Sequence, residues 1–217
     1  MMQPKAAIND FVIKFANVNG TGSASANGMF AKAIFRMGIP VSPRNIFPSN
    51  IQGLPTWYEV RISQDGYLGR RGGIDMMVSV NPQSFAKDVG EVEPGGYMLY
   101  DSTKPLDLRH VRRDIHYLGI PLTEMCLREY TDSRQRQLFK NVIYVGALSA
   151  LLNIDFSILK DLVSEQFKGK EKLITPNIHA LEMGHQYAST HFECPLGIPL
   201  KAGEQTPKHI QEFDQIL

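Results

Sequence analysis

The residues best placed to do chemistry are 17–23 (NVNGTGS), where Gly20 and Gly22 follow an apolar run and precede a helical pattern. Amides of a first helical turn would point into such a segment, and glycines would let a ligand approach the backbone, which suits a phosphate or a nucleotide. It equally suits a tight turn in which asparagine tolerates positive φ, because Asn17 and Asn19 stand where a GxGxxG pattern would place glycines. A second segment, residues 47–57 (FPSNIQGLPTW), holds the single tryptophan, Trp57, with Ser49, Asn50, Gln52 and Thr56. Rigid anchors mixed with hydrogen-bonding groups describe a recognition surface or a plain exposed loop. Two arginines between glycines, Arg70 and Arg71, could clamp an anion or form a charged turn. The basic run Arg109, His110, Arg112 and Arg113 is balanced by Asp107 and Asp114 and reads as solvated surface or interface.

Other chemistries find no residues to carry them. The histidines at 110, 116, 179, 185, 191 and 209 form no HxxxH pair with an acidic partner, and no serine sits in a GxSxG elbow. Neither a catalytic group nor a metal site is therefore expected in this chain. The two cysteines, Cys126 and Cys194, have no CxxC spacing, so no disulfide framework, structural zinc site or iron–sulfur cluster can be built from them alone. Cys126, within PLTEMCLRE, reads as a small buried apolar residue.

Elements must hold the two candidate segments in place. Residues 10–16 (DFVIKFA) read as a buried strand, and Ala26, Met29, Phe30, Ala33 and Ile34 recur at three and four as a helix does. A second strand is expected to begin at 39–41, followed by a long proline-bearing loop. Residues 58–63 (YEVRIS) alternate as a strand wet on one side, suited to a sheet edge. Residues 75–81, a helix after Pro82, a turn at 93–96 and residues 97–100 make a second βαβ unit, and helices close the last third. The expected fold class is α/β, a three-layer α/β/α arrangement with a largely parallel, Rossmann-like sheet and helices on both faces.

The chain has 217 residues, 43% hydrophobic and 21% charged, enough to bury about 70% of its unfolded surface in one domain. With 23 Lys and Arg against 22 Asp and Glu, no net positive field is available for a phosphate backbone or an anionic membrane. Nucleic acid and membrane are not expected partners. The absence of a long apolar run and of a signal-like start points to a cytoplasmic protein.

The segments FANVNGTGSASANGMFAKAIFRMG (15–38) and FPSNIQGLPTWYEVRIS (47–63) resemble the gamma domain of 2-oxoacid:ferredoxin (acceptor) oxidoreductases. NVIYVGALSALLNID (141–155) and EQFKGKEKLITPNIHALEMGHQYA (165–188) extend the similarity over about residues 10–192. The second segment is most similar to the 2-oxoglutarate type, in which this domain is fused in front of a pyrimidine-binding half. The resemblance implies coenzyme A-dependent oxidative decarboxylation of a 2-oxoacid, either 2-oxoglutarate or pyruvate, to an acyl-CoA and carbon dioxide, with electrons passed to ferredoxin. It places thiamine diphosphate, magnesium and iron–sulfur clusters in companion subunits of a hetero-oligomer, so the isolated chain is expected to be inactive. Asn19, Gly20, Thr21 and Gly22 match the family's glycine turn, and Ser49, Asn50, Gln52 and Gly53 its second loop, both implied to meet coenzyme A. Residues 1–191 would form the gamma-type accessory domain and 192–217 a tail docking on a partner, with Pro55 and Trp57 also turned toward that partner. A coenzyme A- or nucleotide-binding regulatory module and a pure scaffold are the alternatives.

Overall fold

Phe11, Ile13 and Phe15 alternate with Val12, Lys14 and Ala16, and all six are buried, so this run is a strand covered on both faces. In the structure, a computed structural model describing residues 7–48, 51–67, 69 and 71–203, it forms β1 (Asp10–Val18). The three- and four-residue apolar spacing that follows becomes α1 (Ser23–Arg36), packed on the face that carries Phe11, Ile13 and Phe15. Then come β2 (Val41–Ile46), β3 (Pro55–Ser63), β4 (Ile74–Ser79), α2 (Phe85–Glu91), β5 (Val92–Asp101) and β6 (His116–Ile120). Four helices close the chain: α3 (Leu122–Glu129), α4 (Ser133–Leu152), α5 (Phe156–Gln166) and α6 (Glu171–His191).

The strands lie in the order β2-β3-β1-β4-β5-β6. β1, β4, β5 and β6 run parallel, whereas β3 is antiparallel to both β1 and β2. The sheet is thus mostly parallel, as expected, and three layers are present. Apolar residues of α1, α3, α4, α5 and α6 join the main core on one face. A smaller cluster on the other face unites Val12, Ala16, Trp57 and Met77 with Val89 of α2.

Two strands differ from the sequence expectation. Residues 43 and 45, read as loop, lie within β2, which pairs only with β3; an edge strand tolerates Pro43 because its missing amide need not serve a neighbour. β3, expected to be a half-wet edge, is an interior strand in which Glu59 and Arg61 are only 6% and 8% exposed. Its alternation reflects two different buried faces. Tyr58, Val60 and Ile62 enter the main core, while Arg61 pairs with Asp10, and Lys14, opposite Glu59 in register, pairs with Glu91.

The stretch after α6 does not behave as a free tail. Leu196 N donates to Leu151 O at 2.8 Å and Leu200 N to Leu152 O at 2.7 Å, while Ala7 N donates to Gly197 O at 2.9 Å. Ile198 and Leu200 are wholly buried in this chain's own core. Residues 192–203 therefore dock on their own fold, and residues 204–217 lie outside the described residues.

Candidate functional site

In a parallel sheet, the loops leaving the carboxyl ends of the strands gather on one rim. Here that rim carries the glycine turn after β1. Gly20 and Gly22 take φ of 86° and 77°, values open to glycine at little steric cost. Thr21 Oγ1 donates to Val18 O at 2.8 Å, and Asn141 Nδ2, from α4, donates to Thr21 O at 2.9 Å. The turn is thus tied to its own strand and to the helix beneath it.

Gly22 is the N-cap of α1, and no side chain caps that end. Serine, threonine or aspartate usually accepts from the first amides of a helix, so here those amides keep their donors for another acceptor, aided by the positive end of the helix dipole.

The second loop is stitched to the first. Asn19 N donates to Leu54 O at 2.9 Å, Gly53 N to Asn19 O at 3.0 Å, and Asn19 Nδ2 to Ile51 O at 3.2 Å. A side chain at Gly20 would collide with Gln52, its Cβ coming within 2.8 Å of Gln52 Cγ. The antiparallel course of β3 explains the contact: β2 runs in the same direction as β1, so the β2–β3 connection starts on the same rim.

Between the loops lies a cavity of about 210 Å³, whose walls include Asn19, Gly20, Gly22, Ser23, Asn45 and Trp57. Of the eight sequence-predicted residues, Asn19, Gly20 and Gly22 reach the cavity. Thr21, Gln52 and Gly53 do not line it, although Gln52 abuts Gly20 and Gly53 is bonded to Asn19, and Ser49 and Asn50 lie outside the described residues. Sequence reasoning missed Asn27 and Asn45. Asn27 had a legible signal, since it stands one helical turn after Ser23 and so on the same face.

Beneath the turn is a closed polar network. Asn27 Nδ2 donates to Asn17 Oδ1 at 3.0 Å, Tyr144 Oη–H to Asn27 Oδ1 at 2.7 Å, and Asn81 Nδ2 to Asn17 O at 3.2 Å. Tyr144 is fully buried, and burial pushes its phenol well above the usual range, so it stays a neutral donor. The two asparagines that stand where a GxGxxG pattern would place glycines thus act differently. Asn17 anchors the turn to α1, to α4 and to Asn81 just beyond β4, while Asn19 fastens the two loops together.

Trp57 is not a surface anchor. It is 6% exposed, and its Nε1 donates to Asp88 Oδ1 at 2.8 Å. Burial raises the Asp88 pKa, an effect opposed by hydrogen bonds from Trp57, Ser84 and Ser79. The ring packs in the smaller cluster on the α2 face, with Lys87 Nζ 4.2 Å from its centroid, rather than being the partner contact expected from its exposed-looking loop.

The remaining candidates fall elsewhere. Arg71 pairs with the buried Asp75 and lies 4.0 Å from Asp10, at the opposite end of β1 from the glycine turn, which removes it as an anion clamp; Arg70 lies outside the described residues. Arg109 and Arg112 pair with Asp107 and Asp114. Cys126 is buried, and burial pushes its thiol up to about 11. Among the described residues no His, Cys, Asp and Glu group could hold a metal ion, and no helix is long and apolar enough to cross a membrane.

Several known proteins share this fold. A 2-oxoglutarate:ferredoxin oxidoreductase from Magnetococcus marinus, solved with 2-oxoglutarate, coenzyme A and succinyl-CoA bound, superposes with a TM-score of 0.78 at 24% identity, over 91% of this chain and 34% of that one. The pyruvate oxidoreductase subunit PORC of Thermotoga maritima superposes at 0.65, with 21% identity, over 82% of this chain and 96% of that one. In sequence, the chain is 23% identical to the alpha subunit of 2-oxoacid:ferredoxin oxidoreductase 2 from Aeropyrum pernix, over 86% of this chain and 35% of the relative. It is 24% identical to the 2-oxoglutarate synthase subunit KorC of Archaeoglobus fulgidus, over 80% of this chain and 88% of the relative. The chain thus spans about a third of the larger relatives and most of the smaller ones. Residues 12–187 match the family described as pyruvate ferredoxin/flavodoxin oxidoreductase, and the chain belongs to that family.

Proposed function

We propose that this chain is the gamma-type subunit or domain of a 2-oxoacid:ferredoxin oxidoreductase, and that its glycine-turn rim receives coenzyme A during oxidative decarboxylation of a 2-oxoacid. The observation that carries this reading is the uncapped start of α1 opening, through Gly22, into the cavity between the two stitched loops. Backbone amides there would take an anionic group such as a pyrophosphate, and the lack of side chains at Gly20 and Gly22 lets it approach. Thiamine diphosphate, magnesium and iron–sulfur clusters would supply the carbon and electron chemistry from companion chains. This chain contributes binding and orientation: the Asn17, Asn27 and Tyr144 network holds the turn rigid, and Trp57 closes the cavity wall.

The test is thermal unfolding of the full chain with and without coenzyme A. At a ligand concentration 100 times the dissociation constant, binding adds about 2.7 kcal/mol of stability. For a chain of this size that is a rise in melting temperature of roughly 5–10 °C. An unchanged melting temperature at millimolar coenzyme A would contradict the reading and favour a scaffold role.

A further inference from the structure

The two edges of the sheet are built differently. β2 carries Pro43 and an exposed Arg44, features that keep a foreign strand from adding to an edge. β6 (HYLGI) pairs with β5 on one side only and carries no proline, lysine, arginine or carboxylate. His116, Tyr117 and Gly119 are half-buried, so this unprotected edge reaches the surface.

Beside it runs the crossover from β5 to β6, residues 102–115, whose one regular piece is a short 3-10 turn, Leu108–His110. The crossover is firmly fixed. Ser102 N donates to Ile120 O at 2.9 Å and Arg112 N to Tyr117 Oη at 2.9 Å, while Arg112 Nη1 donates to Val89 O at 2.9 Å and Val92 O at 2.6 Å. At the tip, Asp107 Oδ1 accepts from Arg109 N at 3.1 Å. This held turn presents Leu108 at 82% exposure, the most exposed large apolar side chain among the described residues. A leucine already fixed in place loses little freedom when a partner buries it, so it serves as an anchor.

Charge tells which partner fits. The crossover carries Lys104, Arg109, Arg112 and Arg113 against Asp107 and Asp114. Arg109 pairs with Asp107 and Arg112 with Asp114, which leaves the exposed Lys104 and Arg113 outside any ion pair among the described residues. Two copies of this chain joined through β6 would bring two such positive crossovers together, which like charge opposes. A segment bearing carboxylates is favoured instead.

We infer that an extended, acidic segment of a companion subunit adds along the free side of β6, and that the same subunit buries Leu108 and pairs with Lys104 and Arg113. The inference rests on the reading of this chain as part of a multi-subunit oxidoreductase and extends it to the surface that holds the assembly together.

The experiment follows backbone amides by hydrogen exchange in the full chain alone and in its complex with the companion subunits. The β6 amides that point away from β5 are expected to exchange about tenfold or more slowly in the complex, with those of β2 unchanged. Leu108→Asp, and separately Lys104→Glu combined with Arg113→Glu, are each expected to raise the dissociation constant of the complex about tenfold or more. All three side chains are exposed, so the melting temperature of the isolated chain should not move. Tyr67→Asp, 66% exposed and following β3 on the other side of the sheet, should assemble normally. Protection at β2 instead of β6, or normal assembly of every variant, overturns the docking surface while the oxidoreductase reading stands. Protection of β6 that grows with the concentration of the chain alone would make a second copy the occupant, which also overturns the inference. A wild type that joins no companion subunit removes both.

Discussion

Replacing Gly184 with alanine is expected to lower the melting temperature by about 10 °C. Gly146 of α4 and Gly184 of α6 face each other across the most extensive helix contact in the molecule. A Cβ on Gly184 would press into Ile143 O and come within 2.8 Å of Ala147 N, and one on Gly146 would press into Leu181 O. These neighbours are backbone atoms, which cannot swing aside as a side chain tip can. Two buried helices must separate to admit the methyl, an overpacking cost of about 3–4 kcal/mol. At roughly 2–4 °C per kcal/mol for a domain of this size, the shift is easily read by calorimetry. Gly90→Ala in α2 is the control, since a Cβ there meets nothing within 4 Å and the change should be neutral or stabilising by up to about 1 kcal/mol. Equal melting temperatures for Gly184→Ala and the wild type would contradict the close approach of α4 and α6.

That contact also bears on the site. α4 carries Asn141 and Tyr144, which hold the glycine turn and its polar network, so the seating of α4 against α6 sets where the turn lies.

The first strand, the turn and α1 were legible in the sequence because each rests on local pattern: an apolar run, glycines, then a three- and four-residue repeat. The features that escaped depend on partners far along the chain. β3 looked like an edge strand because Glu59 and Arg61 are charged, yet Arg61 pairs with Asp10 of β1 and Glu59 lies opposite Lys14 of β1, both far back along the chain. Trp57 looked exposed beside three prolines, but Asp88, 31 residues later, accepts its indole hydrogen. Residues 192–203 show no periodicity because they form no regular element; their burial comes from fitting over α4 and beside the start of β1. Of the candidate site, the glycine turn and the Gln52–Gly53 support could be read from the sequence. Asn27 stands one helical turn after Ser23 and could have been read too, whereas Asn45 needed the fold to bring β2 beside the glycine turn.

The second large effect is functional. Gly22→Val is expected to raise the KM for coenzyme A at least tenfold in the assembled enzyme, because Gly22 is both the N-cap of α1 and a wall of the cavity. Its φ of 77° strains a branched residue by about 1–3 kcal/mol, which a stable domain can absorb. The new side chain would push against the tip of Leu138, a flexible and half-exposed neighbour, and would stand where the ligand approaches the helix amides. Steady-state kinetics of the reconstituted complex, varying coenzyme A and the 2-oxoacid separately, is the most direct measurement of whether this rim handles coenzyme A. A KM for coenzyme A raised tenfold or more, with the KM for the 2-oxoacid unchanged, is the predicted result; equal losses for both substrates, or none for either, would contradict it.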